Sequence, residues 1–407
     1  MTTPGPAPGQ PLAGERIPLA PQRLEELARD RGRILLLPPG IPGGARREGR
    51  GLEGLLAARV EVDRVRREGR GERGYGLRVV LAPGAEPVPV KPGATLVLET
   101  GWDRGPAALR VHFWRETVPE RRRLGFPLWL ARLGEGLAFT APGGGKWVIL
   151  DGDGDGWFSS YGVDLLVPLE GTPERPVLPL SRHLLYATGG FALRVDAFDR
   201  IAMKGIERTL GLLRIVASFA ESVDPAELVV GAGETFRAVP PGVEAVPVTA
   251  GTWRVRRGRL EEGLLFALPA PAEGKEKSGG VRIGPGGEGE LRLGAPFKIR
   301  PEVKDWGGRI KVRSLRITGT AGEIYGPDLR RAAGVKPLRL MARLVEGSGR
   351  GKQRALKAWI PWRLDSRGRL ERATLLMESS PHWDPLFLEL TVTAGPLKGA
   401  GSKTRIR

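Results

Sequence analysis

Acidic residues at alternating positions form the sharpest chemical motif in the sequence. Between two apolar runs the chain reads Asp-Gly-Asp-Gly-Asp-Gly over residues 151–156. Three carboxylates spaced in this way can surround one hard cation, which prefers six or more oxygen ligands, and the last glycine permits a sharp turn. The spacing predicts a Ca²⁺ site whose candidate ligands are Asp151, Asp153, Asp155, the carbonyl of Trp157, and Ser159 or Asp164, directly or through water.

Two departures from familiar calcium loops leave a second interpretation open. A helix–loop–helix calcium loop carries a bidentate Glu at its twelfth position, and Gly162 stands there in this chain. Ser159 occupies the ninth position, where strand-flanked loops usually carry Asp. The alternative is a solvated Asp-Gly turn that binds no ion. No nucleophile or acid is recognisable beside the loop, so the predicted ion is structural and no catalytic residue is assigned.

The elements that must position this loop are predicted to be short strands. Apolar runs at 148–150 and 165–167 lead directly into and out of the loop. The chain holds 60 Gly and 36 Pro in 407 residues, which disfavours a helical bundle and favours many strands joined by turns. The sequence therefore predicts a mainly β protein of two antiparallel β-sandwich or barrel-like domains.

Composition along the chain predicts three parts. Residues 1–50 are Pro/Gly-rich and are expected to form a poorly ordered arm with one short helix over 21–31. A β domain over 51–218 carries the DGDGDG loop. A polar, turn-prone stretch then predicts a boundary and a second β-sandwich domain over 219–407, whose seven or more short strands are typical of an immunoglobulin-like or related sandwich.

The strand–loop–strand setting resembles the DxDxDG loops of FG-GAP-type calcium proteins. Together with the segment 177–190 and the stretches 291–297 and 317–326, it resembles uncharacterised β-rich bacterial envelope or secreted proteins that combine such a loop with a C-terminal sandwich. The resemblance covers about residues 145–195 and 250–345. It implies an extracytoplasmic or cell-envelope location and carries no agreed activity.

The charge balance bears on partners. The net charge of +18 is typical of proteins that attract polyanions. It identifies no partner and leaves an anionic cell-envelope polymer and nucleic acid as candidates, beside the interpretation as a generally basic surface. The basic residues are scattered, however, and the abundance of Arg with no Asn also fits a GC-rich, thermophile-like composition.

The absence of Cys excludes disulfides and thiol chemistry. No apolar run reaches the ~18 residues of a membrane-spanning helix, and no signal peptide is visible, which weighs against export.

The favoured function is therefore that of a non-enzymatic envelope-associated or surface β protein with a structural or binding role. Enzyme motifs such as G-x-S-x-G and H-E-x-x-H are missing, and His112, on the polar face of a predicted strand, is interpreted as a surface residue. One alternative is a basic protein that binds polyanions or nucleic acid. The other is a polysaccharide-acting enzyme with carboxylates in a cleft, for which the candidates are Glu116, Asp151, Glu323 and Asp384.

Overall fold

The structure is a computed structural model, and its described residues are all β-strand, turn or irregular segments, without an α-helix. The mainly β fold class with antiparallel sheets is confirmed. The helix predicted over 21–31 lies outside the described residues, and no described helix is long and apolar enough to cross a bilayer. The described residues are 11–13, 15–18, 34–36, 59–66, 73–81, 85–100, 108–116, 128–142, 145–152, 157–169, 177–186, 189–196, 200–206, 210–220, 225–260, 264–267, 279–306, 309–327, 339–346, 354–359, 375–378 and 385–406.

The strands are numbered in chain order. The first sixteen are β1 (Pro11–Ala13), β2 (Glu15–Pro18), β3 (Ile34–Leu36), β4 (Arg59–Arg66), β5 (Arg73–Val80), β6 (Val88–Val90), β7 (Thr95–Glu99), β8 (Ala108–Glu116), β9 (Leu128–Leu133), β10 (Glu135–Thr140), β11 (Lys146–Leu150), β12 (Leu165–Pro168), β13 (Leu178–Pro179), β14 (His183–Tyr186), β15 (Gly189–Val195) and β16 (Arg200–Gly205). The others are β17 (Gly211–Ser218), β18 (Pro225–Ala232), β19 (Thr235–Val239), β20 (Ala245–Val248), β21 (Gly251–Leu260), β22 (Leu264–Ala267), β23 (Val281–Ile283), β24 (Glu288–Gly294), β25 (Lys298–Asp305), β26 (Arg309–Thr318), β27 (Ile324–Pro327), β28 (Arg339–Glu346), β29 (Arg354–Trp359), β30 (Leu375–Glu378), β31 (Leu386–Val392) and β32 (Gly401–Arg405).

The chain divides into two compact units. Unit 1 comprises Met1–Leu184, Gly190–Ile206 and Glu234–Phe236, and unit 2 comprises Leu185–Gly189, Glu207–Gly233 and Arg237–Arg407. This division describes packing, and a packed unit need not be an independently folding domain. The domain limits 1–50, 51–218 and 219–407 therefore stay predictions.

In unit 1 a five-stranded sheet of order β13-β12-β11-β10-β2 carries the DGDGDG loop. β11 and β12 are antiparallel neighbours, with Val148 opposite Val167 and Leu150 opposite Leu165. These four side chains form one buried cluster, because alternate residues of a strand face the same side of the sheet. The loop therefore joins two adjacent core strands, as its apolar flanks predicted. The other sheets, which consist mainly of residues of unit 1, are β3-β9-β8-β7, β4-β5-β6 and β1-β16-β15-β14.

The strand β8 corrects one expectation of the sequence. Leu109, Val111 and Phe113 alternate along it and are buried in the core, as predicted. His112 and Trp114 lie on the opposite face and are also buried, with 0% and 5% of their surfaces exposed. The interpretation of His112 as a surface residue is therefore wrong. Alternation identifies the two faces of a strand, but it does not tell whether other parts of the chain cover the polar one.

Two sheets consist mainly of residues of unit 2. One has the order β20-β17-β24, and the larger has the order β19-β18-β21-β22-β27-β26-β25-β32-β31-β28-β29, with β23 also pairing with β21 and β30 with β26. Most pairs are antiparallel, while β17 with β24 and β25 with β32 are parallel. The strand predicted at 386–392 is confirmed as β31, which alternates buried and half-buried residues. The immunoglobulin-like arrangement of these strands stays a prediction.

Candidate functional site

The structure describes both ends of the DGDGDG loop but not its centre. Asp151, directly after β11, is buried with 3% of its surface exposed, and Asp164, directly before β12, is fully buried. Trp157 and Ser159 are half-buried on the returning limb. Asp153 and Asp155 lie outside the described residues. Two of the six predicted ligand residues thus flank the loop as buried acids, at the ends of paired strands.

The carboxylate of Asp164 ties the two limbs of the loop together. Its Oδ1 accepts a hydrogen bond from the backbone N–H of Gly152 at 2.8 Å, and its Oδ2 accepts one from the N–H of Ser160 at 2.7 Å. Hydrogen bonds to a carboxylate are among the stronger ones in proteins. Each carboxylate oxygen has a second lone pair, so this bracing role is compatible with an additional contact to a cation or its water.

Two glycines explain how the limbs can meet. A Cβ at Gly152 would lie 2.0 Å from the carbonyl oxygen of Val163, so only glycine fits this close approach. Gly162 has a φ of 79°, in the left-handed region that glycine adopts most easily. Gly162 stands where a helix–loop–helix loop has its bidentate Glu, and the next acid of the chain is the buried Asp164, two residues later.

The oxygen atoms that the loop offers as ligands are of the types that bind a hard cation. Carboxylate, hydroxyl and carbonyl oxygens are what Ca²⁺ takes in proteins, and the described donors are of these three kinds. Within the described residues no three His, Asp or Glu side chains cluster closely enough to hold a metal ion. Since Asp153 and Asp155 lie outside those residues, the full ligand set remains a prediction.

The carboxylates proposed for a polysaccharide-cleaving cleft are not accessible where they are described. Asp151 is buried in unit 1, and Glu323 is buried in unit 2 with 0% of its surface exposed. Oε1 of Glu323 accepts hydrogen bonds from the N–H of Gly294 at 2.8 Å and from the hydroxyl of Tyr325 at 2.6 Å. Burial raises the pKa of Glu323. Asp384 and the side chain of Glu116 lie outside the described residues.

The described histidines form structural contacts. Nδ1 of His112 lies 3.0 Å from the hydroxyl of Thr95, and its ring stacks on Trp114 with 5.6 Å between centroids. Nδ1 of His183 lies 2.7 Å from the hydroxyl of Thr235. His112 is buried and His183 is half-buried, and an unpaired polar group in the interior is costly. These contacts account for both residues as parts of the fold.

The sequence reasoning missed a basic surface in unit 2. On β25 the residues at even positions from 298 to 304 are exposed, and β26 pairs with it in antiparallel register. Beyond the end of β25, Trp306 keeps 48% of its surface exposed. The signal was present as alternation, with a basic or polar residue at every second position from 298 to 304. We call this surface the basic hairpin; it comprises Lys298, Arg300, Glu302, Lys304, Trp306, Arg309, Lys311 and Arg316.

No protein-family model matches this sequence. No curated protein is significantly similar to it either. The function must therefore be inferred from the residues and the geometry of the DGDGDG loop and of the basic hairpin.

Proposed function

We propose that this chain is a non-enzymatic envelope-associated or surface β protein with a structural or binding role, in which the DGDGDG loop holds a structural Ca²⁺. The observation that carries the calcium part is the buried carboxylate of Asp164, which bonds to both limbs of the loop. The loop joins β11 and β12, which are adjacent strands of one core. An ion in the loop would therefore stabilise the sheet of unit 1 directly.

Charge supplies the physical reason for a cation. Asp151 and Asp164 are buried acids at the two ends of a loop that carries two further aspartates, Asp153 and Asp155. Ionised acids that lie close together repel one another, and a cation bound between them relieves that repulsion. We propose that Asp151, Asp153, Asp155, the Trp157 carbonyl and Ser159 bind the ion, and that Asp164 braces the loop or contacts the ion through water.

The proposed location of the protein in the cell envelope rests on the resemblance to envelope proteins, and it is consistent with calcium binding. Extracellular calcium modules have dissociation constants of about 10⁻⁴–10⁻³ M. Protease treatment of intact cells tests the location. We expect the chain to be cleaved without cell lysis, and protection until lysis would contradict an outer-surface position.

Thermal melts with Ca²⁺ and with a chelator test the ion. At a hundredfold excess over the dissociation constant, binding to the folded state alone raises the free energy of unfolding by about 2.7 kcal/mol. We expect Ca²⁺ to raise the melting temperature of the natural chain but not that of Asp153→Ala. The matched control is Asp196→Ala, which removes an acid of unit 1 paired with Arg200 and should respond to Ca²⁺ as the natural chain does. If the natural chain melts at the same temperature with Ca²⁺ and with chelator, the loop is a solvated turn that binds no ion.

The burial of Asp151 and Glu323 counts against the alternative of a polysaccharide-acting enzyme, because a polymer substrate must touch its catalytic carboxylates. A second candidate function, binding of an anionic polymer, is favoured by the basic hairpin and by the net charge of +18. Retention on an anionic matrix that falls steeply with ionic strength tests it. Retention that does not change with salt would contradict it.

A further inference from the structure

We infer that the basic hairpin binds an acidic polysaccharide, with a sugar ring stacked on Trp306 and the carboxylates of the polymer paired with Lys304 and Lys311. This inference rests on the second candidate function, because it names the surface and the polymer class for it. The surface belongs to unit 2, whereas the DGDGDG loop belongs to unit 1.

The register of β25 and β26 places cations directly opposite one another. Lys304 is paired with Lys311, and Arg300 is paired with Arg316. Like charges at directly opposite positions destabilise a sheet. Together with Lys298, these two pairs place five cations on one face of the hairpin, with Glu302 as the acid between them. A polyanion lying on this face would compensate that charge.

Trp306 adds an apolar platform beside these charges. Its indole is 48% exposed, and the ammonium groups of Lys304 and Lys311 lie over its ring, 5.2 and 5.1 Å from the centroid. A stacked sugar would take the place of these ammonium groups over the ring. The C–H face of a sugar ring can pack on an indole and remove apolar surface from water. A sugar stacked there would hold its own carboxylate within a few bond lengths of its ring, where both flexible lysine side chains can reach it.

The surface is long enough for several sugar rings. Residues on one face of a strand recur about every 7 Å, so the path from Lys298 to Trp306 is about 26 Å long. Lys298, Arg300 and Lys304 are exposed along this path. A polymer that extends along β25 would therefore meet a cation repeatedly and the indole at one end.

Trp306 favours a polysaccharide over a nucleic acid. Glu302 is exposed on β25 between the two pairs of opposed cations, and its carboxylate repels the carboxylates of a polysaccharide and the phosphates of a nucleic acid alike. The aromatic side chains are therefore what distinguishes the two polymers. Single-stranded nucleic acids are usually bound by several aromatic side chains on which successive bases stack, whereas the described part of this hairpin offers one indole.

Binding of the full chain to polygalacturonate, neutral dextran and poly(dT) tests the inference. The variants are Trp306→Ala and the double substitution Lys304→Gln/Lys311→Gln. The matched control is Lys91→Gln/Lys204→Gln, which removes two exposed lysines of unit 1 and changes the net charge equally. Because all five residues lie at exposed or partly exposed positions of strands or turns, melting curves should show that each variant still folds.

We expect the natural chain to bind polygalacturonate in a salt-dependent manner and not to bind dextran. Trp306→Ala should weaken binding about fivefold or more, by analogy with the loss of other stacking platforms. The lysine pair should weaken it and flatten its salt dependence, because two ionic contacts are lost. The Lys91→Gln/Lys204→Gln control should stay within about twofold of the natural chain, as expected for charges outside the contact surface.

Three outcomes would overturn the inference at different levels. Hairpin variants that bind polygalacturonate as tightly as the control would exclude this surface while leaving polyanion binding intact. Tighter binding to poly(dT) than to polygalacturonate, lost in Trp306→Ala, would replace the polysaccharide by single-stranded nucleic acid. No binding of either polymer by the natural chain would exclude the second candidate function together with the inference.

Discussion

Tyr325 donates its phenolic hydrogen to Oε1 of Glu323 at 2.6 Å, in the interior of unit 2. The same oxygen accepts the N–H of Gly294, the last residue of β24. The other oxygen, Oε2, is buried and makes no hydrogen bond to the described residues. Burial raises the pKa values of both side chains, and the ionised Glu323 would also raise that of Tyr325. The pair links β24 to the turn before β27 through a buried carboxyl group whose pKa is raised by that burial.

A pH-dependent stability follows from this pair. The pKa of Glu323 in the folded chain lies above its ordinary value of 4.5. Between these two pKa values the folded chain keeps a proton that the unfolded chain releases. The contribution of Glu323 to stability is complete below about pH 4.5 and is lost as the pH rises through the folded pKa. We expect Glu323→Gln, which keeps an acceptor oxygen and cannot ionise, to gain stability relative to the natural chain across this window. Melting temperatures of both proteins from acidic to neutral pH measure the difference.

The difference between the two proteins isolates Glu323 from the other groups that titrate over the same range. Glu290→Gln is a matched control, since Glu290 is an exposed acid of β24. Its melting temperature should follow that of the natural chain at every pH. A constant gap between Glu323→Gln and the natural chain would contradict a raised pKa in the folded state.

Asp164→Asn should destabilise unit 1 even without an ion. The carboxylate accepts two backbone N–H groups, and an amide has only one oxygen, so one N–H would face an NH₂ group. A buried donor left without an acceptor costs about 1–3 kcal/mol. Unfolding by denaturant in the presence of chelator measures this loss. Asp196→Asn is the control, because its carboxylate also accepts a backbone N–H, from Arg200, but at an exposed position; equal losses would argue against the bracing role.

Gly152→Ala should be poorly tolerated because the two limbs of the loop meet at this residue. The added methyl group would lie 2.0 Å from the carbonyl oxygen of Val163, which belongs to the backbone and cannot rotate away. We expect a loss of about 1–3 kcal/mol in the free energy of unfolding, as for overpacked interiors. Gly205→Ala is the matched control, since a Cβ there meets nothing within 4 Å. Equal stabilities of the two variants would contradict the close approach.

Tyr161→Phe should lower the stability of unit 1 by about 1–2 kcal/mol, the usual cost of losing partly buried hydrogen bonds. The Tyr161 hydroxyl donates to the carbonyl of Leu193 and accepts the N–H of Val195, both at 3.0 Å, and so ties the returning limb of the loop to β15. Phenylalanine keeps the ring, over which the guanidinium of Arg182 lies. Tyr161→Leu removes the ring as well and should cost more. Denaturant unfolding of both variants separates the two contributions, and a stability of Tyr161→Phe equal to that of the natural chain would rule out the bridge.

Local patterns were enough to predict the strands around the candidate loop. Runs of apolar residues bounded by glycine and proline identified the flanks at 148–150 and 165–167, and alternation identified β31. These signals depend on residues that are close together in the chain, because the side-chain period of a strand is two. The mainly β class followed from the same signals.

The role of Asp164 needed the tertiary structure. The sequence indicated an acid just beyond the usual end of the loop, but not that its two oxygens would bind N–H groups on both limbs. That geometry depends on the left-handed turn at Gly162 and on the close approach at Gly152. Both are properties of the folded loop and leave only glycines as their trace in the sequence.

What the sequence determined by itself is the type of structure and the place of the acidic loop, since composition and period act over a few residues. Only the tertiary structure decided which residues meet. It buried His112 by covering the second face of β8, enclosed Glu323 with Tyr325, and set Lys304 opposite Lys311. The last relationship depends on a register shift after Glu302, where one extra residue of β26 changes every later pairing. Burial and register arise from contacts between segments far apart in the chain, and no local pattern encodes them.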